Sequence, residues 1–163
     1  MKKTVIISTG GTFNKTYDPH KGELIIDCTS KAVKEIASKW LCQVEMVNII
    51  GKDSLDITHH DRVELLTKIH QSKYNNIIIV HGTDTMDITA KYLAKEDIDK
   101  SIILTGAMVP YSLDPIEATA NLASAFGYSQ TITSSGVYIA MNGVFGRYDI
   151  VQKDREKGQF ILL

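Results

Sequence analysis

The 163-residue sequence has no excess of charge of either sign: 18 Lys plus Arg face 19 Asp plus Glu, a formal net charge of -1. The two signs alternate along the chain rather than forming blocks, so nothing in the composition asks for nucleic acid or another polyanion as a partner. Cysteine is scarce as well. Cys28 and Cys42 are the only two, and their spacing is neither a metal-ligand nor a redox pattern, which makes both packing residues in a reducing compartment. No apolar run approaches the roughly 20 residues that cross a bilayer. The start, Met1-Lys2-Lys3 followed by Thr4-Val5-Ile6-Ile7, has the charge of a leader. Its apolar stretch, however, is cut short at Thr9-Gly10-Gly11-Thr12 without a small-residue cleavage site, so it reads as a first strand of a cytoplasmic protein.

Metal and nucleotide signatures are missing too. His59-His60, His70 and His81 form no His-Glu-x-x-His pattern, which disfavours metal-assisted hydrolysis. There is no Gly-x-Gly-x-x-Gly and no Gly-Lys-Ser/Thr after the first strand. A phosphate cradle would therefore rest on the glycine-rich turns alone.

With 44% hydrophobic residues, the chain can bury a sizeable core as one domain, residues 1–163. Apolar runs at 4–8, 44–50, 76–80, 101–105 and 136–142 read as strands. Segments 30–41, 59–72, 87–93 and 116–128 carry helical periodicity, with Ser30 as an N-cap and Val63, Leu66 and Ile69 on one buried face. The stretch from Thr12 to about Asp27 reads as a polar loop. Strands alternating with helices predict an α/β fold: a three-layer, mostly parallel twisted sheet with helices on both faces, and a ligand site outside the carboxyl ends of the strands.

Those ends are, in order, Thr9-Gly10-Gly11-Thr12, Asp53-Ser54, His81-Gly82-Thr83-Asp84-Thr85, Gly106-Ala107-Met108 and Asn142-Gly143. Hydroxyls, glycine N–H groups and one carboxylate are the parts needed for nucleophilic attack on an acyl carbon, with the N–H groups as an oxyanion hole. A threonine hydroxyl needs a base, and the candidates are Asp84, beside Thr83, or a lysine, of which Lys153 is the candidate. Each residue also has a plainer role open to it. Thr12 can end a turn, Asp84 can cap a helix, Lys153 can be a solvated charge, and Tyr17 can cover apolar surface. His81 is expected to support its turn rather than to do chemistry.

Ser8-Thr9-Gly10-Gly11-Thr12 and His81-Gly82-Thr83-Asp84-Thr85-Met86 together resemble the two signatures of the bacterial-type L-asparaginases and glutaminase-asparaginases. Asp53 to Thr58, Leu104 to Pro110 and Val137 to Asn142 followed by Gly146-Arg147 agree in the same order. The resemblance implies an amidohydrolase that turns L-asparagine or a related small carboxamide into the acid and ammonia. Thr12 would be the nucleophile that forms an acyl-enzyme, and Thr83, Asp84 and Lys153 a second triad. Ser54 would hold the α-carboxylate, Asp84 the α-amino group, and Gly11, Gly82 and Ala107 would line the substrate. Tyr17 is the nearest counterpart of the family's loop tyrosine, although it stands earlier than the family pattern places one. No cofactor and no metal are implied.

Family members are about twice as long, with a smaller carboxyl-terminal domain that completes a partner subunit's site. This sequence ends near where that domain would begin, so it resembles a short single-domain form, expected as a homo-oligomer, a dimer or tetramer. The alternative is a catalytically weak amino-acid-binding or regulatory module that keeps the pocket.

Overall fold

The computed structural model describes residues 1–163 as ten strands and four α-helices. Strands β1 (Thr4–Gly10), β4 (Glu45–Lys52), β5 (Asn76–Val80), β6 (Ser101–Thr105), β7 (Gly136–Met141) and β8 (Val144–Arg147) form the central sheet. Its spatial order is β4-β1-β5-β6-β7-β8. The first five strands run parallel, and β8 turns back antiparallel on β7. Short hairpins lie outside the sheet: β2 (Lys15–Asp18) with β3 (Glu23–Ile26), and β9 (Val151–Asp154) with β10 (Gln159–Leu162).

Alternation along the buried strands sends side chains to two cores. Val5, Ile7, Ile77 and Ile79 meet α2 (His59–Gln71), α3 (Met86–Ala94) and the β9–β10 hairpin, which contributes Val151 and Phe160. Ile6, Ile78, Val80 and Ile103 meet α1 (Lys31–Ala37) and α4 (Pro115–Thr131) on the other face. Helices thus cover both faces of a mostly parallel sheet, as the alternating pattern predicts. No helix is long and apolar enough to cross a membrane.

Four local expectations are corrected. Ser30 does not cap α1: its φ is 53°, and its hydroxyl pairs with the Asn48 side chain. The Asp27 carboxylate accepts from Lys31 N–H at 2.9 Å instead, and α1 ends at Ala37. On α2, Val63 is exposed, while Leu65 and Ile69 enter the core. The cause is Asp61, which forms a reciprocal cap with Thr58 and an ion pair with Lys52 at 2.9 Å, so the 61–65–69 row faces inward. Finally, the loop after Thr12 contains the β2–β3 hairpin. Its four-residue strands pair only with each other and lack the apolar run of a sheet strand.

Strand order decides where the site lies. The chain leaves β1 for β4 on one side and then crosses to β5 on the other, so β1 and β5 flank the point where the order reverses. In open α/β sheets that switch point opens a crevice at the carboxyl ends of the two strands. The turns after β1 and β5 are those of Thr12 and Thr83.

Candidate active site

Gly11 and Gly82 bring the two turns into backbone contact. A Cβ on Gly11, whose φ is 77°, would fall 2.5 Å from Gly82 N, and a Cβ on Gly82 would fall 2.6 Å from Ser54 Cβ. No side chain fits at either position, which is the physical reason for glycine in both motifs. A bulge in β4 completes the cradle. Pairing with β1 jumps from Ser8↔Asn48 to Gly10↔Lys52, with Ile50 and Gly51 both at positive φ, and this turns the Lys52 carbonyl onto Gly11 N–H at 2.9 Å. Ser54 is buried in the short helical turn that follows, and Thr85 Oγ1 donates to its carbonyl at 2.7 Å.

His81 locks the second turn from behind. Its ring is buried; Nδ1–H donates to the Gly82 carbonyl at 2.7 Å, and Nε2 accepts from the Thr89 hydroxyl at 2.9 Å. Thr89 Oγ1 in turn accepts from Arg62 Nε–H at 3.0 Å. Desolvation holds the imidazole neutral and lowers its pKa from 6.5 to about 4, against the opposing pull of the Gly82 carbonyl. The expected supporting role is the one its contacts describe.

Lys153 reaches this point from β9. Its side chain is only 12% exposed, and Nζ donates to Thr83 Oγ1 at 2.9 Å and to Asp84 Oδ1 at 2.7 Å, across 70 and 69 residues of sequence. Thr83 is buried, and Asp84 is 40% exposed at the surface of the group. Because Lys153 donates to the Thr83 oxygen, the Thr83 hydroxyl proton is free to point elsewhere.

The structure therefore brings Gly11, Ser54, Gly82, Thr83, Asp84 and Lys153 into one group, where Thr12 follows Gly11 at the start of a short helical turn. Ala107 is buried next to it, in the core shared with Phe13, where the Glu117 carboxylate fixes the turn by accepting from Met108 N–H at 3.0 Å. Tyr17 is the exception. It sits on β2, 61% exposed, opposite Leu24 and with no hydrogen bond to the group. What anchors its hairpin is Lys15, which pairs with Asp53 at 2.7 Å and, through that hydrogen bond, lowers the Asp53 carboxyl below its ordinary range.

Two further points depart from expectation. Gly11 N–H is taken by Lys52, so it is not an oxyanion donor; the N–H groups of Gly82, Thr83 and Asp84 have no protein acceptor. Arg155, which no sequence motif singles out, joins the group: its guanidinium reaches Asp84 Oδ1 at 3.4 Å and the Asp84 carbonyl at 2.7 Å. It stands in the turn that follows β9, where no strand period assigns its side chain a face.

Comparison with known proteins gives the family context. The family described as Asparaginase, N-terminal, matches residues 3–157. The glutaminase-asparaginase of Acinetobacter glutaminasificans is 28% identical over 91% of this chain and 49% of its own. The probable periplasmic L-asparaginase of Haemophilus influenzae is 30% identical over 90% and 45%. In fold, the thermostable L-asparaginase of Thermococcus kodakarensis superposes with a TM-score of 0.85 at 24% identity, over 99% of this chain and 51% of that one. The chain spans about half the length of these relatives. By the extent of the family match, with Thr12 and Thr83 at the sheet's switch point, the chain belongs to the asparaginase family and corresponds to its N-terminal part.

Proposed function

We propose that this chain is an amidohydrolase acting on a small amino-acid carboxamide, with L-asparagine the first substrate to test, through an ester on Thr12. The observation that carries the proposal is the delivery of Lys153 Nζ to both Thr83 Oγ1 and Asp84 Oδ1, beside the Gly11–Gly82 contact. A lysine brought from so distant a segment to within hydrogen-bond reach of both a hydroxyl and a carboxylate has the geometry of a proton-transfer group.

In the proposed reaction, Thr12 Oγ attacks the carboxamide carbon, and its proton passes to the departing nitrogen. The C–N bond breaks, ammonia leaves, and the acyl group stays on Thr12 as an ester. Water then adds to the ester carbon, the bond to Thr12 Oγ breaks, and the product acid departs. Thr83, Asp84 and Lys153 handle the protons of these steps, and the N–H groups of Gly82 and Thr83, which have no protein acceptor, are available to the developing oxyanion. Ser54 and Asp84 address the substrate's charged ends, and the Ala107 segment lines its path. No cofactor is invoked. The exposed side, at Asp84, is where a second copy of the chain would close the site.

Ammonia release from asparagine and glutamine, with a Thr12→Ala control, tests this reading. Release by the native protein and none by the variant is expected. Thermal stabilisation by aspartate without any release would instead favour a binding module and overturn the hydrolase reading.

A further inference from the structure

Asp84 is held by two cations, not one. Lys153 and Arg155 both approach Oδ1, at 2.7 and 3.4 Å, while Oδ2 accepts no hydrogen bond. A second guanidinium nitrogen of Arg155 donates to the Asp84 backbone carbonyl at 2.7 Å, so this side chain brackets one residue at two points. The carboxylate and its two partners carry a net charge of +1. A substrate's α-ammonium brought to Asp84 would meet Arg155 already in place, 59% exposed.

We propose that Arg155 is a specificity-determining residue that biases the Asp84 subsite against an α-ammonium group. The favoured substrates are carboxamide acids whose α-substituent is neutral or anionic: the desamino analogue of asparagine, or asparagine acylated on its nitrogen. The inference rests on the hydrolase reading and refines its substrate class. Two like unit charges about 6 Å apart at a half-solvated site oppose each other enough to change an equilibrium about tenfold. The pair to Asp84 is exposed and individually weak. Its guanidinium can therefore swing from Asp84 to an incoming anionic α-substituent without leaving a buried charge stranded.

Aspartate and succinate differ only in the α-ammonium group, and calorimetric titration of each into the native protein and into Arg155→Gln reads the effect without turnover. The variant keeps a side chain able to donate to the Asp84 carbonyl but loses the charge. Expected is tighter aspartate binding and unchanged or weaker succinate binding, a shift of about tenfold in the ratio of the two dissociation constants. The ratio of kcat/KM for succinamate over asparagine should fall by a similar factor. A ratio that stays within about twofold, both ligands weakening together included, overturns the proposal, because an arm that merely positions Lys153 would affect them alike. If the native protein binds neither ligand and releases no ammonia, the hydrolase reading fails first and takes this one with it.

Discussion

The turns that carry Thr12 and Thr83 and the hairpin that carries Lys153 meet at one point, but different forces hold them there. Both turns grow out of buried parallel strands, and they touch through the backbones of Gly11 and Gly82 with no room for a side chain. The β9–β10 hairpin pairs only within itself and reaches the site through polar side-chain contacts, Lys153 and Arg155 on Asp84, over an anchor of Val151 and Phe160 in the core. The Thr12 side is thus fixed by sterics, which allow little adjustment. The Lys153 side is fixed by ion pairs and one apolar anchor, and can shift or change its charge without disturbing the sheet.

Substitutions on the two sides should therefore fail in different ways. Thr12→Ala is expected to lower ammonia release by roughly 10⁴-fold or more, with the unfolding midpoint unchanged; retained turnover would break the assignment. Lys153→Met should lower kcat by about 10²–10⁴-fold while altering stability by less than about 1 kcal/mol, measured by urea unfolding. Gly11→Ala should do the reverse on the steric side. Its Cβ would collide with Gly82 N at 2.5 Å, and a loss of about 3 kcal/mol or more is expected. A stable Gly11→Ala protein would show that the backbone contact is not what holds the turns.

Acid sharpens the same contrast through His81. Its pKa is lowered from 6.5 to about 4 in the folded protein, so between those values the unfolded chain binds the extra proton. The contribution is complete above pH 6.5 and is lost as pH falls toward 4, a difference of about 3 kcal/mol. Urea midpoints at pH 7 and pH 4.5 measure it, and His81→Asn should flatten the slope. Asp61 acts lower still: burial alone would raise its carboxyl, but Thr58 and Lys52 hold it at about 2. Its share is present above pH 4 and goes as pH falls through 2. Smallest is Thr89→Val, which leaves His81 Nε2 without its donor and should cost about 1–3 kcal/mol.

Much of this contrast was legible in the sequence, and unevenly so. The five parallel strands are runs of β-branched residues ended by glycine, a pattern with few other readings, and the two motif turns follow from those ends. The hairpins were hidden because Lys15–Asp18 and Val151–Asp154 are four residues long and mix charge with apolar residues. Lys153 could be named from family resemblance, but its approach to Thr83 spans 70 residues and depends on a turn that no local pattern specifies. Ser30 stands before α1 as a capping serine would, but Asn48 on β4 claims its hydroxyl. Arg155 belongs to the turn beyond β9, whose conformation no local period specifies.

The central claim is that Thr12 carries the acyl group, and mass analysis of the protein quenched with acid during turnover of asparagine tests it most directly. The account predicts a fraction of protein heavier by one aspartyl group, located on the peptide that contains Thr12 and absent from Thr12→Ala. Ammonia release at full rate with the aspartyl group on Thr83, or on any other residue, would contradict it.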